Sequence, residues 1–166
     1  MRKRTSIGKP REPLDLDGFA PFFIGAISNK WTTLSSRLYL QRFGIGMTEW
    51  RVLGSLGARG GNGRASAIEI VTLLGIDAAA ISRAMGKLEH LGHVVAVPGT
   101  FPGRTRPYAM TPKGAALFDR VRDMALQREK VLLQDLSPSE QDLLLAMLKK
   151  LHARLPDVQK FEDDIE

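Results

Sequence analysis

The sequence predicts a mainly α-helical protein that contains one small two-stranded β-hairpin. Apolar residues recur at three- and four-residue spacing through most of the chain, which is the period of an amphipathic helix. Two short β-rich runs, 94–97 and 106–110, interrupt this pattern around a loop rich in proline, glycine and arginine. Two helices joined by a tight turn at Gly75 come directly before these runs. This order predicts a winged helix-turn-helix that is flanked by further helices.

The first of the two helices begins at a capping box. Ser66 and Glu69 are three residues apart, which is the spacing at which each side chain accepts a hydrogen bond from the other residue's backbone N–H. Gly75 supplies the short turn that follows. The apolar residues between the box and the turn are expected to face the core, and they are Ile70, Val71, Leu73 and Leu74.

The second helix, 77–92, has two different faces. Asp77 is a good N-cap and Gly92 a good terminating residue, so both ends of the helix are defined. An apolar stripe at helical spacing is expected to pack on the core, and it consists of Ile81, Ala84, Met85, Leu88 and Leu91. The opposite face is small near the helix start and basic further along. Its residues are candidate DNA contacts, namely Ala79, Ser82, Arg83, Gly86, Lys87 and His90.

The composition of this polar face suits the major groove of DNA. Small residues let a backbone approach the groove closely, a serine hydroxyl such as that of Ser82 binds base edges or phosphate, and Arg83 can grip guanine with two donors. For an isolated helix, an ordinary solvated basic face is the more common interpretation. The helix before it and the hairpin after it favour DNA binding instead.

The hairpin has the properties of a wing. Pro107 predicts that the second strand lies at the edge of its sheet, because proline cannot donate to a sheet ladder. Arg104 and Arg106 stand at the end of the loop between the strands. Arginines on a wing can reach a minor groove or its phosphates, so both are candidate DNA contacts. The alternative is a plain hairpin with solvated arginines.

These motifs together resemble the MarR (multiple antibiotic resistance regulator) family of transcription factors over residues 20–155. The resemblance implies a DNA-binding regulator that is a homodimer with intertwined terminal helices. The family usually has an acidic residue shortly before the wing arginine, whereas residues 100–103 here read TFPG. The resemblance is carried by residues 47–53 (MTEWRVL), 81–92 (ISRAMGKLEHLG), Arg104 and 110–114 (MTPKG).

The charge balance also favours a polyanionic partner, double-stranded DNA. The 166-residue chain has a formal net charge of +6, and residues 48–113 contain eight Lys or Arg against four Asp or Glu. No apolar run approaches the roughly 18 residues of a membrane span, and no apolar stretch follows the basic N-terminus as it would in a secretory signal. Cysteine is absent, which excludes disulfides. We therefore expect a cytoplasmic protein without a membrane partner.

Nothing in the sequence indicates an enzyme. The three histidines have no metal-ligand spacing, and residues 57–63 are rich in glycine but lack the Lys-Ser/Thr of a phosphate-binding loop. We expect neither a metal nor a cofactor. The alternative function is a winged helix that binds protein or acts as an architectural module without effector control. The basic exposed face of the second helix favours DNA over that alternative.

The flanking segments predict a dimerisation platform. Their helices carry more apolar surface than a monomer of this size needs, so they are expected to pair across a two-fold axis. Two recognition helices about 34–36 Å apart would then read a palindromic operator, as a repressor would. The predicted organisation is a basic flexible arm at 1–14, an N-terminal dimerisation helix at 15–46, a DNA-binding lobe at 47–111, C-terminal dimerisation helices at 112–155 and an acidic tail at 156–166.

A site for a small effector is a further expectation. Members of the family commonly bind small aromatic or anionic molecules between the dimer helices and the DNA-binding lobe, and the resemblance implies the same here. Trp31, Trp50 and Arg51 could hold a planar anion, the tryptophans by stacking and the arginine by charge-assisted hydrogen bonds. The alternative, which we weight more heavily, is that both tryptophans fill the core between the two lobes.

Overall fold

The computed structural model describes residues 12–58, 63–99, 101 and 106–165. Its architecture is mainly helical with a small antiparallel sheet, which confirms the predicted fold class except in the number of strands. The elements in chain order are α1 (Ala20–Phe43), α2 (Met47–Gly57), β1 (Arg64–Ser66), α3 (Ala67–Leu74), α4 (Ala78–His90), β2 (Val94–Ala96), β3 (Pro107–Met110), α5 (Pro112–Leu132) and α6 (Pro138–Asp163).

Local capping explains where the helices of the helix-turn-helix begin and end. The capping box of α3 forms as predicted, with the Ser66 N–H donating to Glu69 Oε2 at 2.7 Å. Asp77 caps α4 by accepting from the Ala80 N–H at 2.9 Å. At the other end of α4, Gly92 has a φ of 73°. The N–H groups of Gly92 and His93 donate to carbonyls of the last helical turn. This is a Schellman motif, and it turns the chain sharply into β2.

The start of α2 is set by a side chain that follows it. Thr48 is of a type that often caps helices and would start this one at Glu49, but α2 begins at Met47 after Gly46. The Glu49 side chain reaches back and accepts a hydrogen bond from the Gly46 N–H at 2.9 Å. Because this satisfies one of the free donors at the helix N-terminus, the helix starts two residues earlier than a threonine cap would allow.

The sheet has three strands in the order β1-β3-β2, not two. β1 pairs with β3 in the register Ala65 to Tyr108, and β2 pairs with β3 in the register Val95 to Ala109. The prediction that Pro107 marks an edge strand is therefore wrong, since β3 is central. Pro107 is tolerated because it is the first residue of β3, where no ladder donor is required.

The core is centred on α2, which packs against α1, α3, α4, α5, β1 and β3. Val52, Leu53 and Leu56 of α2 are completely buried. Gly57 lies so close to α5 that a Cβ there would overlap the Phe118 ring. On α3, Ile70 is buried as predicted. Leu73 is 52% exposed and does not face the core, because it lies on the other side of this short helix.

The last helix, α6, is longer than expected and packs little on its own chain. The pattern suggested an end near Leu155 and an acidic tail beyond it, but α6 continues through Pro156 to Asp163. None of its residues is buried. Its exposed apolar side chains include Leu143, Leu148, Leu151, Leu155 and Phe161. Among the described residues, no helix combines the length and hydropathy that a membrane-spanning helix needs.

The start of α5 is joined tightly to the end of α4. Lys113 Nζ donates to the carbonyl oxygen of Leu91 at 2.7 Å, and Thr111 Oγ1 donates to that of Gly92 at 2.8 Å. The backbone of Gly114 lies directly against the His93 carbonyl. A lysine near the C-terminus of a helix also interacts favourably with the helix dipole. The joint fixes the direction in which α5 leaves the winged helix-turn-helix.

We predict that Gly114→Ala destabilises the protein by about 1–3 kcal/mol, because the new Cβ would overlap the His93 carbonyl and force this joint apart. The matched control is Gly54→Ala within α2, where a Cβ would meet no described atom within 4 Å. There the substitution should stabilise the helix by about 0.5–1 kcal/mol. Thermal unfolding followed by circular dichroism measures both. Equal stabilities for the two variants would contradict the close approach at Gly114.

Candidate nucleic-acid interface

The structure presents the predicted polar face of α4 to solvent. Its apolar stripe is buried, with Ile81 and Leu88 completely inaccessible. Because these two residues anchor one side of the helix to the core, the opposite side is directed outward. All six candidate DNA contacts on α4 are exposed, and they are Ala79, Ser82, Arg83, Gly86, Lys87 and His90.

Arg83 lies near the middle of the exposed face. Within the described part of the chain, its guanidinium forms no hydrogen bond or ion pair. A guanidinium presents its donors in a planar fork that matches the O6 and N7 acceptors of guanine. Ser82 and Gly86 flank it with little bulk, so the helix backbone can approach a groove closely. This arrangement fits the direct reading of base edges.

Lys87 shares this face but already has a partner. Its Nζ lies 3.0 Å from Oε1 of Glu49 on α2, and the exposed fractions of the two side chains are 41% and 13%. Sequence reasoning predicted a free cation here. It could not find the ion pair, because the partners are 38 positions apart (87 − 49) and meet only when α4 packs on α2.

The described part of the wing holds one of its two predicted arginines. Arg106 is exposed, and its Nε donates to the Val97 carbonyl oxygen at 3.3 Å, which ties the two ends of the loop together. This bond directs the side chain along the base of the wing. Arg104 lies outside the described residues, so its predicted DNA contact stays a prediction.

The end of α4 carries two histidines with different surroundings. His90 is exposed on the polar face. His93 follows the helix, and its Nδ1 is buried without a hydrogen-bond partner among the described residues. Burial, and then the positive charge of Lys113, lower the pKa of His93. Both effects disfavour the charged form of the imidazole at this joint.

The three predicted effector residues all have partners within the chain. Trp50 stacks on Phe118 with ring centroids 5.6 Å apart. Arg51 donates to Thr32 Oγ1 at 3.1 Å. Trp31 packs against the edge of the core and lies under a guanidinium of α5. Each residue is half-buried, at the junction of α1, α2 and α5.

That guanidinium belongs to Arg128, which sequence reasoning missed. Its Cζ lies 4.3 Å from the Trp31 ring centroid and 5.7 Å from that of Tyr39. Its Nη1 donates to the buried Ser35 hydroxyl at 2.6 Å. No carboxylate in the described ranges forms an ion pair with it. No local pattern marks such a residue, since its partners lie far away in the sequence.

Metal binding finds no support in the described part of the chain, where no three His, Asp or Glu side chains are grouped as ligands.

Comparisons with a family sequence model and with solved structures point to the same family. A sequence model described as the MarR family matches residues 43–104. A search of curated proteins returned no match. Among solved structures, a MarR/EmrR family transcriptional regulator from Acinetobacter sp. ADP1 is 35% identical, with a TM-score of 0.77 over 87% of this chain and 99% of that chain.

More distant structures share the fold. A MarR family regulator from Silicibacter pomeroyi is 23% identical, with a TM-score of 0.73 over 84% of this chain and 92% of its own. The MepR–DNA complex of S. aureus contains a chain that is 19% identical, with a TM-score of 0.69 over 84% of this chain and 98% of that chain.

Proposed function

The chain belongs to the MarR family of transcriptional regulators, and we propose that it represses transcription by binding a palindromic operator as a homodimer. The observation that carries this proposal is the exposed face of α4, where Arg83 stands among small residues with no partner in the described part of the chain. Members of the family are regulators rather than enzymes. The proposal implies a cytoplasmic location, because the chromosome of a prokaryote lies there.

The proposed DNA contacts divide by role. Arg83 and Ser82 read base edges in the major groove, and Ala79 and Gly86 allow the helix to sit deeply there. His90 lies near the end of the helix, where it can reach the sugar-phosphate backbone. Arg104 and Arg106 on the wing bind phosphates or the minor groove. The MepR–DNA complex supports DNA binding as such, since MepR has the same fold and binds DNA.

The proposed dimer rests on α1 and α6. An open apolar groove of about 510 Å³ lies between them in the single chain. A 26-residue helix without a buried residue is not stable on its own in water, because most helical stability in proteins comes from packing an apolar face. Pairing across a two-fold axis buries these faces and sets two copies of α4 one DNA turn apart. The groove is lined by Ile24, Leu145, Leu148, Leu151 and Leu155, together with Lys149 and His152.

We predict a dimer of about twice 18.3 kDa in light scattering at micromolar concentration. Leu151→Asp should convert it to a monomer, because a carboxylate in the apolar interface would be buried without a partner. Leu73→Asp is the matched control, since Leu73 is similarly exposed but lies on α3 in the DNA-binding lobe. A monomeric wild-type protein would overturn both the dimer and the palindromic operator.

We predict that Arg83→Ala weakens binding to the preferred DNA sequence by about 1–3 kcal/mol and relaxes the preference at one base. A suitable probe is a duplex that the wild-type protein selects from a random-sequence pool, with a scrambled duplex as reference. Arg104→Ala should weaken both duplexes evenly and reduce the salt dependence, as a phosphate contact does. Arg154→Ala is the charge-matched control on α6, where the arginine pairs with Asp157.

Gel-shift titration of these variants also tests the alternative of a protein-binding or architectural module. Such a module would select no sequence from the pool, and Arg83→Ala would bind like the wild type. The repressor role itself is tested with a reporter gene placed behind the selected sequence. Reporter expression should fall when the protein is present.

We further propose that a small aromatic or anionic effector releases the protein from DNA. The proposed site is the junction that holds Trp31, Trp50 and Arg51, with Arg128 as a further cation. An effector there would lower DNA affinity by favouring a dimer whose recognition helices no longer match the operator spacing. Coupling of the usual size would change operator affinity about 5- to 150-fold.

We predict that an aromatic carboxylate such as salicylate or benzoate quenches tryptophan fluorescence and weakens operator binding. Trp31→Ala should blunt this response and leave binding without the carboxylate largely unchanged. The packing alternative gives a different result, in which Trp31→Ala lowers thermal stability and DNA affinity together. If the carboxylates and phenols neither quench fluorescence nor shift operator affinity, the tryptophans serve the core alone.

A further inference from the structure

The contact between α4 and α2 contains one directional polar interaction in an otherwise apolar interface. Glu49 uses its two carboxylate oxygens separately. Oε2 accepts the Gly46 N–H at 2.9 Å, and Oε1 lies 3.0 Å from Lys87 Nζ. The Glu49 side chain is only 13% exposed. The carboxylate is therefore a rigid anchor built into the start of α2, and Lys87 is bound to that anchor.

Release of Lys87 to a DNA phosphate would be unfavourable. It would leave a largely buried carboxylate without a counter-charge, which destabilises a protein more than an exposed unpaired charge does. No other described cation forms an ion pair with Glu49. The uncompensated negative charge would also lie beside the helix that approaches the phosphates. Both effects favour Lys87 staying on Glu49 when DNA binds.

Lys87 lies close to Arg83, so the ion pair between Lys87 and Glu49 can affect where the Arg83 side chain is placed. Lys87 and Arg83 are four positions apart, so their side chains are neighbours on one side of the helix. Apolar packing holds α4 on the core, but the hydrophobic effect is non-directional, so it defines the rotation of the helix about its axis less sharply than a directional contact does. An ion pair to a fixed carboxylate restricts that rotation. It also draws the lysine ammonium away from the Arg83 guanidinium.

We propose that Lys87 and Glu49 are positioning residues that set the rotation of the recognition helix and so determine how sharply Arg83 discriminates between bases. This role rests on the proposed function of α4 as the recognition helix. It assigns Lys87 to specificity, in contrast to the phosphate contact that a basic face alone suggests. It also gives Glu49, an acidic residue, a part in DNA recognition.

The experiment uses the full-length protein and two conservative neutral variants. Lys87→Met keeps the length of the side chain without its charge. Glu49→Gln keeps an oxygen that can accept the Gly46 N–H, because glutamine also serves in capping boxes. The double variant completes a cycle, and Arg154→Met, which breaks the exposed Arg154–Asp157 pair, is the control for loss of a positive charge. Affinity is measured by fluorescence anisotropy on the selected and scrambled duplexes at several salt concentrations.

For a positioning pair, each single variant lowers the ratio of selected to scrambled affinity roughly two- to fivefold, and the double variant is no worse than either single one. The salt dependence of Lys87→Met stays that of the wild type. Lys87→Arg, which can still bind Glu49, keeps the wild-type ratio. Circular dichroism shows whether each variant is folded. If Lys87→Met unfolds, Glu49→Gln still separates the two outcomes, because it lowers the ratio for a positioning pair and strengthens binding for a phosphate contact.

A phosphate contact at Lys87 predicts opposite results and would overturn the proposal. Lys87→Met would then reduce the slope of log affinity against log salt by about 0.9 on both duplexes. Glu49→Gln would strengthen binding, since it frees the lysine and removes a negative charge. Additive effects in the double variant would also overturn it. Failure of the proposed function is a separate outcome, in which the wild-type protein itself does not prefer the selected duplex.

Discussion

The packing of α2 is the constraint on which the rest of the structure depends. The recognition helix α4 and the long helix α5 both lie against it, so the orientation of one relative to the other is fixed through α2. Val52, Leu53 and Leu56 fill this contact without exposed surface, and Gly57 lets the Phe118 ring approach the helix backbone. Close-packed interiors transmit displacement rather than absorb it. A movement of α5 is therefore expected to move the exposed polar face of α4 with it, without changing the shape of that face.

In a single chain the winged helix-turn-helix is well packed, whereas the last helix, α6, has little to pack against. Residues of the winged helix-turn-helix form most of the buried core, together with Tyr39 of α1 and Leu117 and Val121 of α5, whereas α6 contributes no buried residue. Arg128 joins the two long helices that flank the winged helix-turn-helix, because it reaches from α5 to Ser35, Trp31 and Tyr39 on α1. Its guanidinium is held by ring faces and a hydroxyl, which bind it less strongly than a carboxylate would. The junction where an effector is proposed to act is therefore also where α1 is held to α5 by comparatively weak polar contacts.

Whether a feature could be predicted from the sequence depends on how far apart along the chain the residues that form it lie. The caps at Ser66 and Asp77, and the two faces of α4, depend on residues within a few positions and were predicted correctly. The three-residue strand β1 is too short to show a period, and its partner β3 lies more than 40 positions away (107 − 66 = 41). Missing β1 made β3 look like an edge strand. Local patterns cannot show such pairings, because they arise only when distant segments pack.

The same limit applies to the charges, and it changes how the basic composition is interpreted. The sequence shows an excess of cations around the reading helix, which suggests binding mainly through electrostatics. In the structure several of these cations bind groups of the same chain. Arg51 donates a hydrogen bond to α1, Lys87 forms an ion pair with α2, and Lys113 caps the end of α4. Arg106 binds a carbonyl at the base of the wing. Arg83 differs from these four, since it stands exposed without a partner in the described part of the chain. Within the described part of the chain these four cations have intramolecular partners and Arg83 has none, which favours the proposal that bases are recognised through the geometry of α4 rather than through net charge alone.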